Sequence, residues 1–402
     1  MALLAVSEAL ERILAVARVM GAETVKLSEA LGRITAADIK AKHNQPPFQA
    51  SAMDGYAVMH DDIATLPSSL KLIGVAAAGH GFKGALKHGQ AVRILTGAPL
   101  PKGADTIVIQ ENVTAVGKQI TVNEITTQGR NIRALGLDFA KGTVLVRAGT
   151  KLGARDIGLL ASGDHAMIRV RMKPRVAILT TGDELALPGA KRRADQINSS
   201  NSFALAAFAK ACGAEVIDLG IINDDLTAIT KAINRASKSD VLITTGGASV
   251  GDHDFVQEAL RRAGVKIDFW KIAMRPGKPF MFGTKGKLRV LGLPGNPVAA
   301  LVCAQLFLKP LLEKMQGLVV STTPIMARLG ADVSANDLRQ DYLRANLTLG
   351  EDGARLATPA LKQDSSMQRV MQTATCLIVR DAFAPAAKTG SLVPILLFSD
   401  GV

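Results

Sequence analysis

Cysteine is scarce: Cys212, Cys303 and Cys376 stand isolated among 402 residues. Three such thiols cannot build a disulfide framework or a Cys-based zinc site, and they fit a reducing, cytoplasmic setting. Aromatic residues are also thin, with only Trp270, Tyr56 and Tyr342 beside the phenylalanines. Without basic-aromatic interleaving or a recognition motif, base stacking has no platform, so nucleic acid is not expected as a partner. No apolar run approaches the about 18 residues needed to cross a bilayer, and no membrane role is expected. The start, M-A-L-L-A-V-S-E-A-L, lacks a basic leader and has Glu8 and Glu11 at helical spacing, which reads as a mature amphipathic helix. Acidic side chains are outnumbered, 35 against 48 basic ones, for a formal charge of +13. Such a surface attracts anions, and a phosphorylated small molecule fits it better than a nucleic acid does.

What is present falls into blocks. Residues 1–41 read as largely helical, with Leu3, Leu4, Ala9, Leu10, Ile13 and Leu14 in one stripe and a second helix over A-E-T-V-K-L-S-E-A-L-G-R stopping near Gly32. Pro46-Pro47 breaks that pattern, and the short apolar runs that follow, divided by Gly and Pro, predict a mostly β region. The stretch L-G-A-R-D-I-G-L-L-A-S-G predicts a helix ending at Gly163. After Pro174, apolar strands alternate with helical stretches, which implies a mainly parallel, three-layer domain with binding loops at the carboxyl ends of its strands. Beyond about residue 322, alternating segments predict a small β domain. The expected fold is multidomain α/β plus β, with boundaries at 1–45 plus 145–170 (a discontinuous helical domain), 46–144 (β-rich), 171–321 (αβα) and 322–402 (β).

Candidate chemistry gathers on loops of the αβα block. In T-T-G-D-E-L, Asp183 and Glu184 follow a strand directly; Asn198 to Ser202 is rich in capping side chains. Asp225 suits the cap of the helix from Leu226, which leaves Asp224 freer to face a site. In T-T-G-G-A-S-V-G-D-H-D, from Thr244 to Asp254, Gly246-Gly247 permits close backbone approach and Ser249 suits an anion. Asp252 and Asp254 are alternate carboxylates, either of which could face Mg²⁺ while the other caps a helix. R-P-G-K-P-F offers Arg275 and Lys278 on a stiff path, with Lys271 nearby; Arg grips oxyanions bidentately and Lys supplies a point charge. In G-L-P-G-N-P, Asn296 and Pro297 suit a helix start whose backbone donors could take phosphate. Neither a Walker loop nor G-x-G-x-x-G is present, which removes the usual signals for ATP hydrolysis and NAD chemistry. Asp54 in S-A-M-D-G-Y-A, and Arg133 and Asp138 in R-A-L-G-L-D, read equally as turns or as ligand edges. The histidines have no spacing that demands a metal.

Taken in order, S-A-M-D-G-Y-A, T-G-A-P-L-P-K-G-A-D, T-T-G-D-E-L, T-T-G-G-A-S-V-G-D-H-D, R-P-G-K-P-F and G-L-P-G-N-P resemble the molybdopterin molybdenumtransferase (MoeA-like) family and the related C-terminal domain of gephyrin. The resemblance covers nearly the whole chain. It implies an elongated homodimer whose αβα domain binds molybdopterin, and insertion of molybdate into adenylylated molybdopterin with release of AMP, assisted by Mg²⁺. It assigns catalytic roles to Asp54, Asp138, Glu184, Asp224 and Asp254, with Glu184, Asp224 and Asp254 as metal ligands. Substrate-binding roles fall on Thr181, Asn201, Gly246, Gly247, Ser249, Lys271, Arg275, Lys278, Pro294, Gly295, Asn296 and Pro297. A molybdopterin adenylyltransferase and molybdoenzyme maturation proteins are the implied partners. The sequence departs from the family pattern at Leu137, at Arg275 where lysine is common, and at Asn198-Ser199. A tungstate-handling paralogue and a noncatalytic cofactor-holding scaffold are the alternatives.

Overall fold

Strand Arg175–Thr181 (β1) is buried from Val176 to Thr181, as a strand covered on both faces must be. It lies near the middle of a six-stranded sheet, in a computed structural model describing residues 3–246, 255–320 and 324–398. The other strands are Glu215–Ile222 (β2), Val241–Thr245 (β3), Lys266–Trp270 (β4), Met281–Lys285 (β6) and Leu288–Leu293 (β7). The order is β2-β1-β3-β7-β6-β4, parallel from β2 to β7 and antiparallel at the β7-β6-β4 edge.

Alternation along the strands feeds two cores. Val176, Ile178, Val241 and Ile243 face one layer, while Ala177, Leu179 and Leu242 face the other. The first layer holds Asn201–Ala211 (α2), Pro297–Cys303 (α5) and Lys309–Met315 (α6). The second holds Leu226–Arg235 (α3) and Phe255–Arg262 (α4), through Ile229, Ile233, Val256 and Leu260. The N-terminal helix Val6–Ala15 (α1) adds Val6, Ala9 and Ile13 to the first core. Buried Arg289 donates from Nε to the Val16 carbonyl at 2.8 Å, which ties down the end of that helix.

The C-terminal strands close on themselves. Ile325–Leu329 (β8), Gln340–Leu349 (β9), Arg355–Pro359 (β10), Cys376–Arg380 (β11) and Leu392–Leu397 (β12) run β9-β10-β8-β12-β11, and β11 pairs back to β9. Closure leaves no long bare edge. The two-residue strand Met274–Arg275 (β5) leaves the αβα domain to pair with Gln340 and Asp341 of β9. A short helix, Gln368–Thr373 (α7), sits between β10 and β11.

Contacts divide the chain into Met1–Glu23 with Arg171–Val402, and Thr24–Val170. The second unit, taken by itself, holds a six-stranded sheet with neighbours Thr106–Ile109, Gly55–Val58, Gln90–Ile94, Ser68–Ala76, Gln119–Val122 and Val113–Val116. It also holds a small core of Ala30, Val146, Leu152, Leu160, Ile168 and Val170 around helix Ala154–Ser162.

Two expectations change. The helix read over A-E-T-V-K-L-S-E-A-L-G-R is instead strand Ala22–Lys26, paired with Met167–Arg171, followed by the 3-10 turn Leu27–Glu29. Val25 and Leu27 pack on the small core, so strand pairing overrides a helical pattern only a few residues long. Residues 1–23, expected with 145–170, group instead with the αβα and C-terminal domains, because α1 spends its apolar stripe there.

Candidate active site

The carboxyl ends of β1 and β3, the turn after β7 and the start of α2 enclose a cleft of about 600 Å³. Thr181, Glu184, Asn201, Gly246, Pro294, Gly295, Asn296 and Pro297 line it, as do Thr180, Asn198, Ser199, Ser200, Thr245, Pro279 and Ser366. The cleft depends on close backbone packing at Gly246. Its φ is +92°, and a Cβ there would lie 2.1 Å from the Thr181 carbonyl oxygen, so only glycine fits. Asn201, at the first turn of α2, donates from Nδ2 to Thr245 Oγ1 at 2.9 Å and to the Gly295 carbonyl at 2.7 Å. Thr245 Oγ1 donates in turn to the Pro294 carbonyl at 3.2 Å. One amide therefore pins the β3 end to the G-L-P-G-N-P turn.

Two hydroxyls in this floor, Thr180 Oγ1 and Thr181 Oγ1, are buried without a hydrogen-bond partner. Buried polar atoms are seldom left so, and both residues border the cleft. The α5 start is different. Pro297 has no N–H, and the first available donor, Val298, gives its N–H to the Ser365 carbonyl at 3.1 Å. Asn296 donates from Nδ2 to Ser365 Oγ at 2.7 Å and makes no side-chain cap of its own. The phosphate donors expected at this helix start are thus partly spent on a C-terminal-domain turn.

At one rim, Asp224 lies beside Asp183 and Glu184. Its N–H donates to Asp183 Oδ1 at 3.3 Å. Partial burial pushes its carboxyl above the ordinary range, and the negative charges of Asp183 and then Glu184 push it further. Asp225 accepts from the Ala228 N–H at 2.7 Å and caps α3, so its carboxylate turns to the helix. Among the described residues no group of three His, Cys, Asp or Glu is arranged to hold a metal ion. Gly247, Ser249, Asp252 and Asp254 lie outside the described residues.

The R-P-G-K-P-F loop is used unequally. Arg275, expected to grip an anion, is absent from the cleft lining. Its Nε donates to Asp341 Oδ1 at 2.8 Å, Nη2 to Asp341 Oδ2 and Asn336, and Nη1 to Asp337 at 3.4 Å. Asp341 is 7% exposed, so the bidentate fork neutralises a buried carboxylate on the barrel. Lys271 follows β4 at φ +73° with its Nζ 3.9 Å above the Trp270 ring centroid, a cation–π arrangement outside the cleft lining. Lys278 is exposed, beside the cleft-lining Pro279.

In the second unit, Asp54 accepts from both the N–H and the hydroxyl of Thr96, each at 2.7 Å. The backbone N–H first, and then the hydroxyl, hold its carboxyl below the usual range. Asp138 is exposed, with its N–H on the Gln45 carbonyl at 2.9 Å.

Comparison with known proteins agrees with this architecture piece by piece. Residues 4–163 match the MoeA N-terminal region (domain I and II), 177–314 a probable molybdopterin binding domain, and 326–398 the MoeA C-terminal region (domain IV). A Haemophilus influenzae protein named molybdopterin molybdenumtransferase is 36% identical over 381 residues, covering 94% of this chain and 94% of its own. The chain belongs to the molybdopterin molybdenumtransferase family. A Nostoc protein of the same name is 37% identical over 337 residues, 81% of this chain and 77% of its own. Among solved structures, a MoeA protein from Pyrococcus horikoshii superposes with a TM-score of 0.87 at 31% identity, covering 99% of this chain and 100% of its own. The multidomain α/β and β-barrel fold is the family's.

Sequence reading gave no role to four cleft residues, Thr180, Thr245, Pro279 and Ser366. Ser199 and Ser200 fall in the run of capping side chains at 198–202 that it singled out.

Proposed function

We propose that the chain is a molybdopterin molybdenumtransferase, inserting molybdate into adenylylated molybdopterin with release of AMP in molybdenum cofactor biosynthesis. The carrying observation is the strand-end cleft itself, of about 600 Å³, lined by Thr181, Glu184, Asn201, Gly246 and the Pro294–Pro297 turn, in a chain that aligns over 94% of its length with a protein of that name.

The residues divide the work by chemistry. Ser200 and Ser366 offer hydroxyls along the cleft lining, and Lys278, exposed next to the lining residue Pro279, supplies a mobile positive charge. Asn201 acts through Thr245 and Gly295, holding the floor and the turn at fixed spacing so that molybdate and the ligand meet in one orientation. No side-chain nucleophile is required: an oxygen of molybdate attacks the phosphoanhydride phosphorus and AMP leaves with the electron pair of the broken P–O bond, while sulfur of the ligand bonds molybdenum as a molybdate oxygen departs as water.

Mg²⁺ fits the rim. Glu184 and Asp224 are hard oxygen donors, Asp224 being raised by partial burial, then by Asp183 and then by Glu184, and Mg²⁺ is commonly held by one or two carboxylates with water and phosphate completing the shell. Bound there, the ion would offset phosphate charge as the AMP bond breaks. The reading further places the protein in the cytoplasm as a homodimer, with Asp54 and Asp138 serving a second copy's site. It also expects a molybdopterin adenylyltransferase as the supplier of substrate and molybdoenzyme maturation proteins as recipients. No helix among the described residues is long and apolar enough to cross a membrane.

Incubation with adenylylated molybdopterin, molybdate and Mg²⁺ tests the assignment. Release of AMP with formation of a cofactor that activates an apo-molybdoenzyme is the expected result. Tight substrate binding without AMP release would overturn it in favour of a holding protein.

A further inference from the structure

We propose that Gln196, helped by Arg193, is a positioning residue that holds the acidic turn Asp183-Glu184 in shape to receive a divalent cation; this rests on the Mg²⁺ rim proposed above. Gly182 leads into the turn at φ +146°, a region that favours glycine. The Glu184 carboxylate folds back so far that a Cβ on Gly182 would stand 2.6 Å from its Oε2. Where that carboxylate lies therefore follows the backbone path, and the backbone is held by a loop that begins ten residues on.

Arg193 Nη2 and Gln196 Nε2 both donate to the Asp183 carbonyl, each at 3.2 Å, which occupies both of its lone pairs. Gln196 is itself fixed. Its Oε1 accepts the Arg193 N–H at 3.1 Å, and its own N–H donates to the Arg193 carbonyl at 3.2 Å. The short strands Leu185–Ala186 and Ile197–Asn198 then pair in parallel, with the Ile197 N–H on the Glu184 carbonyl at 2.8 Å. Ile197 and Asn198 line the cleft, so one half-buried amide sets the acidic turn against the cleft wall. Asp183 Oδ1 accepts the Asp224 N–H, which carries the brace to the other rim carboxylate.

The charges show what the brace is for. Arg193 reaches the acidic turn, yet its guanidinium is spent on that carbonyl and on Asp195, 3.3 Å away in its own turn. Among the described residues no lysine or arginine pairs with Asp183, Glu184 or Asp224. The turn is thus held through its backbone while its carboxylates are left to a cation. Groups that orient metal-binding carboxylates in this way are commonly worth about 10- to 100-fold in metal affinity.

The test uses the full chain with Gln196→Met, which keeps the length and loses both bonds, and Gln196→Glu, which keeps the shape and loses the donor. Mg²⁺ is titrated by calorimetry, and unfolding is followed without Mg²⁺. Both variants should bind Mg²⁺ about tenfold more weakly at an unchanged unfolding midpoint. The Mg²⁺ concentration for half-maximal AMP release should rise by the same factor, with the rate at saturating Mg²⁺ retained. Gln196→Glu discriminates by sign, because its added negative charge alone would tighten cation binding. Native or tighter Mg²⁺ affinity in that variant overturns the proposal, as does a lowered midpoint in both variants. Native protein that takes up no Mg²⁺ overturns this proposal and the metal rim together, and AMP release without Mg²⁺ would leave the transferase standing. Weakened Mg²⁺ binding in variants of a protein that never releases AMP would keep the brace and remove the transferase.

Discussion

Two neighbouring loops, R-P-G-K-P-F and G-L-P-G-N-P, look alike in sequence and are used differently. Both are stiffened by proline and glycine and both flank buried strands. The second lines the cleft through Pro294, Gly295, Asn296 and Pro297, held from the side by Asn201. The first sends its guanidinium the other way, to Asp341 and Asp337 of the barrel, and leaves only Pro279, with Lys278 beside it, at the cleft. A cation in a stiff loop is thus not assigned by its charge. It is assigned by where its partners stand, and Asp341 is 66 residues away.

The comparison can be broken most severely at Gly246. Gly246→Val places side-chain carbon against the Thr181 carbonyl at a positive φ, and should cost about 3 kcal/mol or more in urea unfolding together with loss of AMP release. A variant of native stability would show that the floor is looser than its geometry.

Next in size is Arg275→Gln, which leaves Asp341 buried and unpaired. A loss of roughly 2 kcal/mol in denaturant unfolding is expected, the scale of charge-assisted hydrogen bonds. An unchanged unfolding midpoint would mean that solvent replaces the fork without cost.

Asp224 gives a smaller effect with a definite sign. Its folded pKa is raised, so its contribution to stability is fully present below the unfolded carboxylate value and is lost as pH rises through the folded value. Asp224→Asn should flatten the thermal midpoint over that window and be neutral or mildly stabilising at neutral pH. Mg²⁺ should raise the midpoint of the native protein at neutral pH and do so less in the variant. The smallest change is expected from Lys271→Met, about 0.5 kcal/mol from the lost cation–π contact, with substrate affinity intact.

Much of this fold was legible. Apolar strands alternating with helical stretches after Pro174 announced a three-layer domain, and Asp225 before Leu226 announced a helix cap. Segment 22–33 was misread because a few apolar residues at mixed spacing fit either period until a partner strand decides. The cleft's position followed from strand-end logic, and its αβα residues largely sat in the quoted motifs. Illegible were long-range engagements: Arg275 with Asp341, and the Ser365 carbonyl on the Val298 N–H. Both join domains far apart in sequence, where no local pattern records the pairing.

The division of labour between the two cations of one loop can be measured directly, by titrating adenylylated molybdopterin into Lys278→Gln and Arg275→Gln at a temperature where both remain folded. Lys278→Gln should weaken binding about tenfold with an unchanged unfolding midpoint, whereas Arg275→Gln should bind as the native protein does and unfold earlier. Loss of affinity in Arg275→Gln at an unchanged midpoint, with Lys278→Gln silent, would contradict the assignment.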